Sequence, residues 1–282
     1  MDFIDLHIHT TASDGSFTPE QVVNMALETG LYAIAITDHD TIDGVAPAME
    51  AAEGKPLRII SGVEISSTYN GRDVHILGYN IDIENSFLIK NLNAVRNMRE
   101  DRNAQMCALL QEHGMDITME ELYSRSTSRT LTRGSMGHLM IEKGYVKDMN
   151  EAFAKYLSKN AEIPCYVPRF KMTVEDAYKL INYAGGVCVV AHPVRYKMSD
   201  EQYYEMFRAF KRIGLKCIEA IHSDNKTGDE EKFTQMARDC NLKITGGSDF
   251  HGASKPAISI GTGRGNIRVP KALLKNIGIS DF

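Results

Sequence analysis

Short apolar runs alternate with helical patterns along most of this chain, and nearly every run ends in histidine or acid. Phe3-Ile4-Asp5-Leu6-His7-Ile8-His9 opens the series, and Leu31 to Thr37 ends in Asp38-His39-Asp40. Leu57 to Val63 meets Glu64, and Val74 to Tyr79 carries His75. Val187 to Ala191 runs into His192-Pro193, Cys217 to Ile221 into His222, and Leu242 to Thr245 into Gly246-Gly247-Ser248-Asp249-Phe250-His251-Gly252. Strand-length runs alternating with helices predict an α/β domain whose parallel sheet or barrel is covered by helices. In such folds the loops after the strand ends gather at one face, where the chemistry sits.

His7 and His9 are two residues apart, so on a strand their imidazoles project from one face, which is half a metal chelate. A pair of merely hydrogen-bonded histidines would look the same in isolation. The distribution argues otherwise. Of nine histidines, only His113 and His138 fall away from the strand ends. With Asp14, Glu64 and Asp249 they form a set of nitrogen and carboxylate donors without thiolates, suited to divalent zinc, manganese or iron. So many donors exceed what one tetrahedral ion can use, and a dry site rich in acid needs cations to offset it. Two or three ions are expected, with Glu64 able to bridge two of them.

The helical patterns carry their own punctuation. Thr18-Pro19 reads as an N-cap with proline at the first helical position, opening a helix through Leu27 that stops at Gly30. Further helices are predicted over Val45–Glu53, Thr173–Ala184, Gln202–Arg212 and Glu230–Cys240. Between Ser86 and Lys159 the rhythm changes to two long helical patterns, Leu88–His113 and Gly137–Leu157, which read as an insert. Arg125, Arg129 and Arg133 recur there at four-residue intervals and would share one face if helical, as a solvated stripe or as a phosphate clamp. The tail from Ile258 to Phe282 has weak signals only.

A formal net charge of -5 argues against coating long nucleic acid through bulk electrostatics, so any nucleotide partner should be small. The five cysteines are dispersed, without a Cys-x-x-Cys pair, and indicate neither disulfides nor a thiolate zinc site. With no apolar run of membrane length and no signal-peptide pattern, the expected compartment is the cytoplasm.

His7-x-His9, Asp14-Gly15, Thr37-Asp38-His39, Gly62-Val63-Glu64, His75-x-x-Gly78-Tyr79, Ala191-His192-Pro193 and Gly247-Ser248-Asp249-Phe250-His251 together resemble the ordered motifs of the PHP (polymerase and histidinol phosphatase) domain. That resemblance implies a distorted (β/α)7 barrel with a trinuclear metal centre. Its motifs would place His7, His9, Glu64 and Asp249 on one metal, Glu64, His75 and His192 on a second, and Asp14, His39 and His251 on a third. Asp38 is expected to orient imidazoles, as is Asp40. The barrel would span residues 1–85 and 160–282, and the helical insert, capping the substrate, 86–159.

The insert is similar to that of a subfamily whose members remove the 3′-phosphate from nucleoside 3′,5′-bisphosphates or trim short oligoribonucleotides from the 5′ end. The similar stretches are Leu131-Thr132-Arg133-Gly134, Lys143-Gly144-Tyr145-Val146 and Ala152-Phe153-x-x-Tyr156-Leu157. Where relatives often have Arg-Pro-His, this chain has Arg133-Gly134-Ser135. The expected activity is metal-dependent phosphomonoester hydrolysis. Arg133, Arg129, Arg195 and Ser135 would hold phosphate, and His222 would lie near the leaving group. Histidinol-phosphate phosphatase is the competing enzyme reading, and a non-catalytic metal-binding interaction module the reading from another class.

Overall fold

The computed structural model describes residues 2–125 and 130–280. Two compact units divide the chain: 1–92 with 171–282, and 93–170. The first contains the strands β1 (Phe3–Ile8), β2 (Ala33–Ile36), β3 (Arg58–Tyr69), β4 (Arg72–Tyr79), β5 (Met172–Thr173), β6 (Val187–Val190), β7 (Cys217–His222), β8 (Lys243–Gly247) and β9 (Val269–Pro270). Hydrogen bonding orders them β8-β7-β6-β4-β3-β2-β1-β9, with β5 added beside β3. Past the end of β8, Phe250 pairs with Ile8, its carbonyl accepting from His9 N–H at 2.9 Å, so the sheet curls into a nearly closed barrel.

The sheet is not uniformly parallel, as the strand–helix rhythm suggests. β4 runs antiparallel to both β3 and β6. The cause is local: Asn70 and Gly71 adopt φ of 49° and 75°, and Tyr69 pairs with Arg72, so a two-residue Asn-Gly turn folds β4 directly back. Parallel pairing would need a crossover of a dozen residues or more.

Ile4, Leu6, Ala33, Ala35, Ile60, Leu77, Val189 and Cys217, from six strands, form one apolar cluster inside the barrel. Tyr79 belongs to it and donates its hydroxyl to the Leu6 carbonyl at 2.8 Å, satisfying the one polar atom it buries. The tail completes this core. Val269 pairs with Ile4 through β9, and Leu274, Ile277 and Ile279 pack into the same cluster. Buried Asp5 ties the tail to the barrel, accepting from Gly261 N–H and from Ser248 N–H at 2.8 Å each. On the outer side Ile8, Ile34 and Ile36 meet Val22, Val23 and Ala26 of α1 (Pro19–Glu28) and Val45 and Ala48 of α2 (Val45–Ala52). Thr18 and Gln21 cap α1 reciprocally, with Pro19 at its first position.

The second unit contains most of α3 (Ser86–Glu112), with α4 (Met119–Arg125), α5 (Arg133–Glu142) and α6 (Met149–Ala152), the last continued by a π turn over Phe153–Leu157. Met106, Leu110, Leu122, Leu131, Met136, Leu139 and Leu157 form its core. Arg125 closes α4, whereas Arg133 opens α5 after the N-cap Thr132, so the two do not share a helical face. The hydroxyl of Ser135 accepts from Thr132 N–H and closes that capping box. Arg129 lies outside the described residues. Three further helices, α7 (Val174–Tyr183), α8 (Asp200–Ile213) and α9 (Asp229–Asp239), belong to the first unit. Among the described residues no helix is long and apolar enough to cross a membrane, and all five cysteines are free and buried.

Candidate metal centre

Strands β1, β2, β6, β7 and β8 deliver donors at or just beyond their carboxyl ends and β3 and β4 deliver them from within, so residues scattered through the sequence meet at one mouth. His7 is the penultimate residue of β1 and His9 follows the strand, while His39 follows β2 and His192 follows β6. Glu64 and His75 lie within β3 and β4, and Asp249 and His251 follow β8. His192 and Asp249 hold φ of 27° and 57°, a region costly for non-glycine residues and often used to aim functional side chains.

Glu64 is the hub. Its Oε2 lies 3.1 Å from Nε2 of both His7 and His9 and 3.2 Å from Nδ1 of His39. Its Oε1 lies 2.8 Å from Nδ1 of His75 and 2.9 Å from Nε2 of His192. Asp249 Oδ1 lies 3.3 Å from His9 Nε2, 3.4 Å from His251 Nδ1 and 3.6 Å from His7 Nε2. Asp14 Oδ1 lies 3.5 Å from His251 Nε2 and 3.7 Å from His9 Nδ1, and its Oδ2 lies 4.0 Å from His39 Nε2. Four overlapping donor groups result: His7, His9, Glu64 and Asp249; His9, Asp14, His39 and His251; His39, Glu64 and His75; and His7, Glu219 and His222.

The donors fit a cation better than they fit each other. His9 Nε2 and His39 Nδ1 are buried and close to carboxylate oxygens, yet neither has a properly directed hydrogen bond. His192 Nδ1 and His222 Nε2 are likewise without one. Ligand bonds of about 2.1 Å separate neighbouring ligand atoms by roughly 3.0–3.4 Å, which matches the spacing around Glu64 Oε2. Protonation shows the same tension. Burial pulls His39 and His251 down to about 3 and His192 to about 4, so these imidazoles are neutral and have lone pairs to offer. Burial also opposes charge on His9, but Asp249 and Glu64 overcome it and lift the ring to about 9. His7 is driven well above its ordinary value by Glu219, Glu64 and Asp249, again against burial. Without a cation, protons on His7 and His9 offset the carboxylates.

The PHP domain family matches residues 5–227 of the sequence. The chain belongs to the PHP domain family. Its relatives include the 5′-3′ exoribonuclease Rnm of Escherichia coli, 34% identical over 88% of this chain and 84% of that protein. Another is the 3′,5′-nucleoside bisphosphate phosphatase of Chromobacterium violaceum, 32% identical over 92% of this chain and 90% of that protein. A solved structure of a candidate metal-dependent phosphoesterase from Bifidobacterium adolescentis superposes with a TM-score of 0.80 at 29% identity, covering 97% of this chain and 94% of the other. This PHP protein is thus a metal-dependent phosphoesterase.

Three residues of the PHP site escaped the sequence reading. Glu219, fully buried on β7, takes His7 Nδ1 at 2.9 Å with Oε1 and accepts from His192 N–H at 2.7 Å with Oε2. Sitting one residue from Ala220 in an otherwise apolar strand, it reads as an ordinary interruption; only its inward direction gives it a partner. Lys255 and Arg195 each reach Asp249 Oδ2 at 2.8 Å, but only Arg195 was expected at the site. Asp224 receives Arg195 at 2.8 Å and Arg264 at 3.1 Å. Asp38 touches the loop rather than a ring: it accepts from Thr10 N–H at 2.7 Å, the Thr10 hydroxyl at 2.8 Å and the Ser13 hydroxyl at 2.5 Å. It thereby fixes the turn that carries Asp14. Asp40 plays a similar part, accepting from Ser66 N–H at 2.8 Å.

Proposed function

We propose that the chain removes the 3′-phosphate from nucleoside 3′,5′-bisphosphates or acts on short 5′-phosphorylated oligonucleotides, using two or three divalent cations of the manganese, zinc or iron type. The observation that carries this reading is Glu64, whose two carboxylate oxygens face separate sets of imidazoles. One carboxylate shared in this way suits cations held side by side. In this reading His7, His9, Glu64 and Asp249 hold one ion, Glu64, His75 and His192 another, and Asp14, His39 and His251 a third.

Bound divalent cations would supply activation of water and offset charge on the phosphate oxygens. The protein's own contribution is placement. Arg195, braced by Asp224 and Asp249, offers the remaining edge of its guanidinium to phosphate oxygens, a geometry that its planar fork suits. His222 Nδ1 accepts from Asp224 N–H at 3.0 Å, which leaves the ring proton on Nε2, 3.7 Å from Asp249 Oδ2. That N–H is placed to donate a hydrogen bond to a departing oxygen.

The test, with added manganese, is release of inorganic phosphate from adenosine 3′,5′-bisphosphate and of 5′-mononucleotides from a 5′-phosphorylated tetraribonucleotide, with AMP and histidinol phosphate assayed for inorganic phosphate. Turnover of either of the first two, abolished in a folded Glu64→Ala variant, is expected. Preferential turnover of histidinol phosphate would replace the nucleotide reading, and no turnover of any substrate would favour a binding module.

A further inference from the structure

A tyrosine hydroxyl interrupts the ladder between β4 and β6. Ile76 pairs with Val190 and Leu77 with Val189 in that antiparallel register, so His75 stands directly opposite Ala191. A hydrogen-bonded pair of facing residues normally exchanges two N–H···O bonds. Here one is made: Ala191 N–H donates to the His75 carbonyl at 3.0 Å. In place of the other, His75 N–H donates to the Tyr196 hydroxyl at 3.1 Å, and that hydroxyl donates to the Ala191 carbonyl at 2.7 Å. Its approach to the His75 carbonyl, at 3.5 Å, is longer.

The chain brings Tyr196 back to the ladder by a tight route. His192 holds φ of 27°, Pro193–Tyr196 make one 3₁₀ turn with Arg195 N–H on the His192 carbonyl at 3.0 Å, and Lys197 leaves at φ of 50°. The Tyr196 ring stands edge-on to the His192 ring, their centres 5.9 Å apart. Tyr203 anchors the same turn from outside the ladder, donating its hydroxyl to the Pro193 carbonyl at 2.8 Å. His75 and His192 flank the inserted hydroxyl, and both aim at one oxygen: Glu64 Oε1 lies 2.8 Å from His75 Nδ1 and 2.9 Å from His192 Nε2, with the ring centres 5.1 Å apart. A hydroxyl that serves two backbone groups in series spaces the strands more widely than a direct bond would, so it fixes how far apart the two imidazoles start. Without it, His75 N–H and the Ala191 carbonyl must either close on each other, drawing the rings together, or remain unpaired.

We propose that Tyr196 is a positioning residue whose hydroxyl, inserted between His75 and Ala191, sets the spacing of His75 and His192 and with it the affinity of the one cation that those imidazoles share with Glu64. This rests on the reading above in which Glu64, His75 and His192 hold a cation of their own; the inserted hydroxyl rests on backbone geometry alone. Partners that orient ligands without touching the ion alter its affinity by about 10–100-fold. A buried hydroxyl with a purely structural part changes folding stability and leaves cation content alone.

The test is cation uptake rather than turnover. Manganese is titrated calorimetrically into cation-free wild type, Tyr196→Phe and Tyr203→Phe, and content is read by elemental analysis after desalting. Tyr196→Phe should bind one cation about 10–100-fold more weakly and lose it on desalting, while the others bind within about twofold of wild type. Tyr203→Phe, which removes a hydroxyl bond from the same turn but not from the ladder, should melt earlier and keep its full content. Equal loss of content in both variants would mean a softened turn and overturn the role, as would full content in Tyr196→Phe. Phe keeps the ring beside His192, so the variant should fold, which circular dichroism checks; should it not, amide exchange in wild type decides. Coupling is reciprocal, so loading the cations should slow exchange of the His75 amide by about tenfold or more, and exchange unchanged by loading overturns the role. A wild type that takes up one cation or none defeats the reading of a shared Glu64 and the role of Tyr196 with it, a failure seen in wild type alone and so distinct from the others.

Discussion

Glu219 Oε1 lies 2.9 Å from His7 Nδ1, and the contact turns the other ring nitrogen, Nε2, toward Glu64 Oε2 at 3.1 Å. Nδ1 donates, because a carboxylate can only accept, and Glu219 is held in that form against its burial by His7, followed by the field of His222 and His192. The Nε2 lone pair is left for a cation. Glu219→Gln keeps the shape and removes the charge. Cation affinity should fall by about 10–100-fold, the usual effect of losing a partner that orients a ligand. Calorimetric titration with manganese checks this; unchanged affinity would show that His7 does not depend on Glu219.

Gly247 is where β8 passes His7 most closely. A Cβ there would stand 2.4 Å from His7 Cβ and 2.5 Å from His7 N, backbone that cannot move without opening the barrel. Gly247→Ala should therefore destabilise by at least about 1–3 kcal/mol, the cost of overpacking, and lower cation content together with the melting temperature. Thermal melts with elemental analysis test it, and a variant that melts like wild type would contradict the geometry.

Proton exchange should accompany cation binding. His9 titrates near 9 in the absence of a cation, against an ordinary 6.5, and His7 is raised as well. A raised imidazole stabilises the fold by an amount fully present below 6.5 and lost as pH climbs through about 9. The cation-free protein should thus lose stability across that window, while the loaded protein should not. A cation must displace those protons, so affinity should rise with pH up to about 9, with proton release seen as buffer-dependent binding heat. His39, His192 and His251, near 3 to 4, release nothing above about pH 5. Binding heats independent of buffer at pH 7 would sink the assignment of His7 and His9 as ligands.

His222 is buried beside His7 and His192, with Nε2 unpartnered and Nδ1 held by the Asp224 amide. If the Nε2–H hydrogen-bonds the departing oxygen, His222→Asn should lower kcat by about 10²–10³-fold while shifting the melting temperature by only a few degrees. Equal losses of rate and stability would instead mark a structural histidine.

Much of the centre is visible in sequence because barrel geometry converts a position in the chain into a position in space: a donor after a strand ends at the mouth. His7, His39, His192 and Asp249 could be read in that way. Glu219 could not, because an acid inside a strand points inward or outward according to register, and β7 shifts register between Glu219 and Ile221. Lys255 sits in a loop without a pattern. The antiparallel β4 was foreshadowed by Asn70-Gly71, a turn signal that local reading could have used. The tail gave only weak strand and short-helix signals because its elements, β9 and a 3₁₀ helix over Lys271–Ile277, are too short to show a period. Leu274, Ile277 and Ile279 are defined by the barrel floor that they fill.

Alternating pattern and donor chemistry, both local properties of the chain, determined a strand–helix domain with a cation-binding mouth. Tertiary structure alone decided which nitrogen of each histidine faces inward, which acid supports which ring, and that two arginines 31 positions apart, Arg102 and Arg133, share one tyrosine. The reason is physical. Periodicity encodes which face of an element is buried, but pairing across elements depends on backbone direction and burial, which appear only once the sheet has closed.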